Sequence, residues 1–281
     1  MKPISRALVC LLAICLCAPV FAHANQPTYE GPGWDTPEEA VLYYLEGLRE
    51  QDLGKMIGAY AIETYIDHFD LSALLARMRA YAPTMSPRLP NTGGLVRAIN
   101  IEERKSEIVR GIFLHMASIC MPEQDFFQMT TFAPENADEE IKAFVEGLDN
   151  AFDAVDFGTL KVLCFTPPED ISEHYASEQN QENMRRQVAP FGADEARSVI
   201  AAFTVDDKLG VLACEAMRYA DRWFMFKPHG NIAAMAGLPA SGGGMVVVPI
   251  EELMALSVDE LGAAPMGLGE FIASIVELLG E

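Results

Sequence analysis

Basic residues are scarce in this chain. Only 20 lysines and arginines stand against 41 aspartates and glutamates, for a net charge of −21 over 281 residues. A surface of that sign repels nucleic acid and anionic lipid, so no nucleic-acid partner is expected. Basic partners, cations or neutral ligands remain, and the charge also serves solubility. Cysteine is scarce too. Of six, Cys10, Cys15 and Cys17 fall in the first 24 residues, leaving Cys120, Cys164 and Cys214. An odd, widely spaced set is no disulfide framework. The apolar neighbours of these thiols favour buried free cysteines, with one Cys164–Cys214 bridge as the alternative because both fall on predicted strands. Their spacing suits no zinc site. No Asn-x-Ser/Thr sequon occurs after residue 24.

Reaction signatures are missing as well. The chain has no Gly-x-Ser-x-Gly elbow, no phosphate-binding glycine loop, no His-Glu-x-x-His and no EF-hand loop. Asp149, Asp153 and Asp156 are spaced like a calcium cluster but lack its glycine and closing glutamate, so they read as a solvated helix end. No catalytic residue, cofactor or metal is assigned.

Long hydrophobic runs are absent apart from one. Residues 7–20 are apolar except for Pro19, a run of about 14 against the roughly 20 that a membrane-spanning helix needs. Lys2 and Arg6 precede it and Ala22-His23-Ala24 follows it. A positive start, a short apolar stretch and a small-x-small site describe a secretory signal peptide, cleaved near Ala24. The expected location is secreted or periplasmic. Leu16 precedes Cys17 where a lipobox needs a small residue, so no lipid anchor is expected. Losing Lys2 and Arg6 with the leader makes the remaining chain more acidic still.

What is present is a strongly patterned body. Residues 25–35 form a polar lead-in expected to be flexible. Thr36-Pro37-Glu38-Glu39 is a helix start with a capping box, followed by Val41, Tyr44, Leu45 and Leu48 at helical spacing. Asp52 and Asp70 cap two further predicted helices, the second stopped by Pro83. A loop over 83–94 leads to a long helix over 101–120, and Asn136 and Glu139 open another. The texture changes near Asp156. Strands are predicted over 159–165, 197–205, 211–219 and 222–227, with a polar helix over 169–188 after the first. The last three strands are joined by short turns and should pair as an antiparallel meander. Val246-Val247-Val248 adds an edge strand, and two short helices close the chain near 250–261 and 268–279. Helices first and strands later define an α+β fold: N-terminal helices packed on a curved, mainly antiparallel sheet, with short C-terminal helices. The division is a leader over 1–24, a lead-in over 25–35, a body over 36–240 and a glycine linker with amphipathic helices over 241–281. Within the body, a helical half covers 36–153 and a sheet half 156–240.

The segment Tyr65-Ile66-Asp67-His68-Phe69-Asp70 collects the most useful groups. A carboxylate beside an imidazole sets up general-base chemistry, although neighbours in sequence more often serve as a helix end and cap. Arg77, Arg79 and Arg88 form a local positive cluster suited to an anionic ligand, or simply balance the acidic surface. Tyr65, Asp67, His68, Arg77 and Arg79 are therefore the candidate binding residues. His115 reads as a core or boundary histidine, His174 as a surface residue and His229 as part of a turn. Phe224 and Phe226 alternate with Trp223 and Met225, so both faces of that strand are apolar, as in a covered central strand.

Thr36-Pro37-Glu38-Glu39-Ala40 followed by Gln51-Asp52-Leu53 resembles the helical opening of ketosteroid isomerase-like (nuclear transport factor two-like, cystatin-type) domains. Tyr219-Ala220-Asp221-Arg222-Trp223 resembles their late strands. With Gly230-Asn231-Ile232-Ala233 and Gly237-Leu238, the chain is similar to a family of secreted proteins of gut-type bacteria. The resemblance implies a curved sheet wrapped by helices and carries over no acid–base pair. A secreted, non-catalytic protein binding a ligand or partner between meander and helices is the leading expectation. The alternatives are a small-molecule isomerase or hydrolase using Asp67 or His68 as base, and an assembly protein engaging a partner through its C-terminal helix.

Overall fold

A computed structural model describes residues 28–80, 89–90, 92–122, 130–134, 136–167, 169, 173–228, 244–255 and 275. Residues 1–27, which hold the predicted leader, most of the 83–94 loop with Arg88, His229, the 230–238 motifs, residues 241–243 of the glycine linker and nearly all of the last predicted helix lie outside them.

Among the described residues, six helices come first. Helix α1, Pro37–Glu50, starts where the sequence places it. Thr36 Oγ1 accepts from the Glu39 amide at 3.2 Å, and Glu39 Oε2 accepts from the amides of Thr36 and Asp35. Ala40, Val41, Tyr44, Leu45 and Leu48 bury one stripe of α1. Asp52 caps α2, Leu53–Gly58, and Asp70 caps α4, Leu71–Met78, each through an amide three residues on. Between them lies α3, Glu63–Asp67, whose cap residue Ile62 offers no side-chain oxygen. The Glu30 carboxylate supplies it instead, accepting from the amides of Ile62 and Thr64 at 2.9 Å. Glu63 returns the favour to the amides of Tyr29 and Glu30. Residues 28–35 are thus bound to the body rather than forming a loose lead-in. Helix α5, Gly94–Cys120, begins ahead of its predicted start because its first turns expose Leu95 and Ile99, so they carry no amphipathic signal. Helix α6, Ala137–Asp153, has Asp138, Glu139 and Glu140 at its positive end; Asn136 makes no side-chain cap bond.

The sheet has strands β1 (Lys161–Thr166), β2 (Glu195–Val205), β3 (Lys208–Tyr219), β4 (Arg222–Pro228) and β5 (Met245–Pro249). Their order is β1-β2-β3-β4 with β5 also on β3, and every pairing is antiparallel. The free edge of β3 is shared: Lys208–Leu212 take β5 and Cys214–Tyr219 take β4. Among the described residues, the predicted polar helix holds α7 (Glu173–Ala176) and α8 (Glu178–Val188), parted where Ser177 leaves the helix to cap α8. A short α9, Ile250–Ala255, follows β5.

Helix α1 lies across the sheet. Its stripe meets Val199, Ala201, Phe203 and Val205 of β2 and Leu212, Cys214 and Met217 of β3 in one core. The opposite face, with Ile200, Ala202 and Ala213, is buried as well. Strand β4 is apolar on both faces as expected, yet it is a terminal strand. Its outer edge is covered by the N-terminal chain: Trp34 and Trp223 exchange amide–carbonyl bonds of 3.1 and 2.8 Å, and the Met225 amide and carbonyl bond Ala59 and Ala61. Pairing that edge removes a template for aggregation. Cys120, Cys164 and Cys214 are free; Cys164 on β1 and Cys214 on β3 are separated by β2, which excludes the alternative bridge.

Candidate ligand cavity

A cavity of about 410 Å³ opens where α3, α4 and α5 meet the end of β4 and the turn after α8. One wall is aromatic. Tyr65, on the buried side of α3, stacks on Phe191 with centroids 4.4 Å apart and planes 17° from parallel. Phe226 of β4 lies 5.9 Å from Tyr65 and 5.7 Å from Phe191. Leu74, Ile108 and Pro228 extend the apolar lining.

Positive charge collects on the other side. Arg104 falls on the inner stripe of α5 between Ile101 and Ile108, one helical turn from each, and is only 5% exposed. Its Nη2 donates to the Phe226 carbonyl at 2.5 Å and its Nε to that of Ala61 at 3.5 Å; Nη1 reaches Glu107 at 3.3 Å. The guanidinium sits 4.6 Å from the Tyr65 ring centroid, a cation–π contact in a desolvated place. Arg77 of α4 donates Nη1 to the Gln187 carbonyl at 3.1 Å, closing the rim against α8. Lys227 stands over Phe226 at 5.4 Å and 3.6 Å from Glu215.

Glu215 is the buried acid behind this rim. It is the cross-strand partner of Lys227, beside an irregularity in the β3–β4 register. Gln187 Nε2 donates to it at 2.6 Å. Burial pushes its carboxyl above the usual range, an effect opposed by Lys227, Gln187 and Arg77.

Of the five candidates from sequence, Tyr65 and Arg77 line the cavity and Asp67, His68 and Arg79 do not. Asp67 is held in a two-bond pair by Arg97, 2.5 and 2.8 Å, with its side chain 45% exposed. His68 ends α3: its Nδ1–H donates to the Thr64 carbonyl at 2.8 Å, and its ring tilts on Tyr219. The adjacent carboxylate and imidazole are therefore committed to different partners. Arg79 is the left-handed cap of α4 and is exposed. Sequence reasoning missed Arg104, Lys227 and Glu215. The one signal for Arg104 was a charge falling on the apolar stripe Ile101-Arg104-Ile108. His115 is fully buried against Tyr44, with Nδ1 and the hydroxyl 2.6 Å apart, as a core histidine. Among the described residues no three His, Cys, Asp or Glu are placed to hold a metal ion, and no helix is long and apolar enough to cross a membrane.

No protein-family model matches the chain, and no curated protein does. Among solved structures, the chain is similar to a cystatin-like protein from Ruminococcus gnavus ATCC 29149, at 16% sequence identity and a TM-score of 0.37. The match covers 67% of this chain and 39% of that one, well under half of its length. So distant a likeness does not carry the fold, which rests on the strand order and packing described above.

Proposed function

We propose that this chain is an exported, non-catalytic protein that binds a small ligand in the cavity between α3–α5 and the end of β4. The observation that carries the reading is the cavity itself. It falls in the size range of small-molecule sites and combines a stacked aromatic wall with a few convergent polar groups. Those groups are the cations Arg77, Arg104 and Lys227, the Gln187 amide and the Glu107 carboxylate, and the Asp67–His68 pair lies elsewhere. Export is supported by the pattern of residues 1–24. A nuclear transport factor two-like, cystatin-type reading of the body is supported by α1 laid across an antiparallel sheet.

Thermal melting of the chain from Asn25 onward against a panel of metabolites and glycans tests the reading. A true ligand at about 100 times its Kd stabilises by about 2.7 kcal/mol, a shift easily read in such a melt. A flat panel, with no partner retained in pulldowns, overturns it.

A further inference from the structure

The geometry points to an organic anion as the ligand: a carboxylate, sulfonate or similar head carried on an apolar body, with the head at Arg104, Arg77 and Lys227 and the body against the wall of Tyr65, Phe191 and Phe226. This inference rests on the cavity being a binding site, as proposed above. The chain has twice as many acids as bases, yet three of its 20 lysines and arginines line this one cavity with a single carboxylate, Glu107, among them. Arg104 is the decisive residue. A guanidinium 5% exposed needs partners for its charge and its five N–H bonds. Among the described residues it donates to two backbone carbonyls and to Glu107, whose side chain is 43% exposed. Two N–H bonds remain on a side chain that lines the cavity. Arg77 is bonded through Nη1 to one carbonyl, which leaves the rest of its fork for a ligand. Tyr65, Phe191 and Phe226, meanwhile, give the same cavity an apolar wall. Glu107 and Glu215 offset two of the three cations, so a cationic ligand would still face a net positive site, and a neutral one would leave the Arg104 donors without an acceptor. Charge-assisted bonds from a guanidinium to an oxyanion suit those donors best.

Two fluorescent probes with nearly the same aromatic frame separate the contributions: 8-anilinonaphthalene-1-sulfonate, an anion, and neutral N-phenyl-1-naphthylamine. On a surface of net charge −21, diffuse binding of the sulfonate is opposed, so saturable binding reports a local positive site. The expected result is one saturable sulfonate site at least tenfold tighter than that for the neutral probe. Arg77→Gln with Lys227→Gln should weaken the sulfonate about tenfold and leave the neutral probe unchanged. Arg77 and Lys227 sit at the rim but also face the buried Glu215, so both probes are compared in a Glu215→Gln background that leaves no buried carboxyl without its cations, with the fold checked by far-UV spectrum; Arg104 is left intact because its removal would leave two buried carbonyls unpaired. Equal affinity for both probes, or sulfonate binding indifferent to the double substitution, overturns the anion inference and leaves the cavity reading standing. Silence from both probes together with a flat metabolite panel overturns both.

Discussion

Glu215 is where a single side chain sets a measurable property. Its folded-state pKa is raised by burial, above the unfolded value of about 4.3, so the folded protein holds this proton more tightly than the unfolded chain. The stabilisation this gives is fully present below about pH 4.3 and is lost as pH rises through the folded value. Glu215→Gln keeps an acceptor for Gln187 and never ionises. Its stability relative to the parent should therefore climb with pH above about 4.3 and level off beyond the folded pKa, as read from urea midpoints between pH 4 and 8. A constant difference across that range would show that Lys227, Gln187 and Arg77 cancel the burial cost. Burial likewise holds the thiols back, with Cys120 pushed up to about 11. None of this is visible locally in Ala213-Cys214-Glu215-Ala216, which reads as strand. The register that sets Glu215 against Lys227 belongs to the β3–β4 pair.

At the scale of elements, helix starts with a capping residue and strands joined by short turns were legible, because both signals are local. Thr36, Asp52 and Asp70 cap as their chemistry dictates, and the β2–β3–β4 meander pairs as its two short turns require. Non-local facts were not legible. The end position of β4 was hidden because Trp34 and residues 59–61 cover its edge, giving it the sequence of an inner strand. The cavity was half legible: Tyr65 and Arg77 lie in a conspicuous segment, whereas Arg104 and Lys227 come from elements distant in sequence that meet only on folding. Two glycines test the packing of these elements. Gly210 of β3 faces Phe203 of β2 across the ladder, and a Cβ there would collide with three atoms of a fully buried ring. Gly210→Ala should cost about 1–3 kcal/mol by overpacking. Adding Phe203→Leu should cost less than the sum of the single changes, since one relieves the other. Gly111 lies within α5 and lines the cavity, and a Cβ there meets nothing within 4 Å. Gly111→Leu should raise the thermal midpoint through a gain of up to about 1 kcal/mol in helix propensity while reducing probe binding at least tenfold. A variant that gains stability and keeps full affinity would place the ligand somewhere else.

For the whole molecule, residues 29–35 complete the fold. Cleavage near Ala24 would leave the short stretch that carries Glu30 and Trp34. Glu30 satisfies the start of α3, the helix that presents Tyr65 to the cavity. Trp34 pairs with Trp223 and closes the sheet next to the strand that presents Phe226 and Lys227. Arg222 adds an ion pair with Asp35 at the same edge. These few residues hold both walls of the cavity, the helical and the sheet side, and so join the two halves into which the sequence divides. Three chains test this. One beginning at Asn25 should match the urea midpoint of one beginning at Tyr29, since every bond just named is kept. One beginning at Thr36 loses the Glu30 acceptor, leaving the Ile62 and Thr64 amides to water, and it uncovers the β4 edge at Trp223 while Met225 keeps Ala59 and Ala61. Two part-buried hydrogen bonds to a charged acceptor at about 1.5–3 kcal/mol each put the loss at several kcal/mol. The bared edge at Trp223 should also promote self-association, seen as concentration-dependent elution on size exclusion. If the chain from Thr36 stays monomeric with an unchanged midpoint, the lead-in is only an accessory to a body that closes by itself. If it weakens while the Asn25 and Tyr29 chains agree, the segment over 29–35 is part of the fold, and the cavity owes its shape to it.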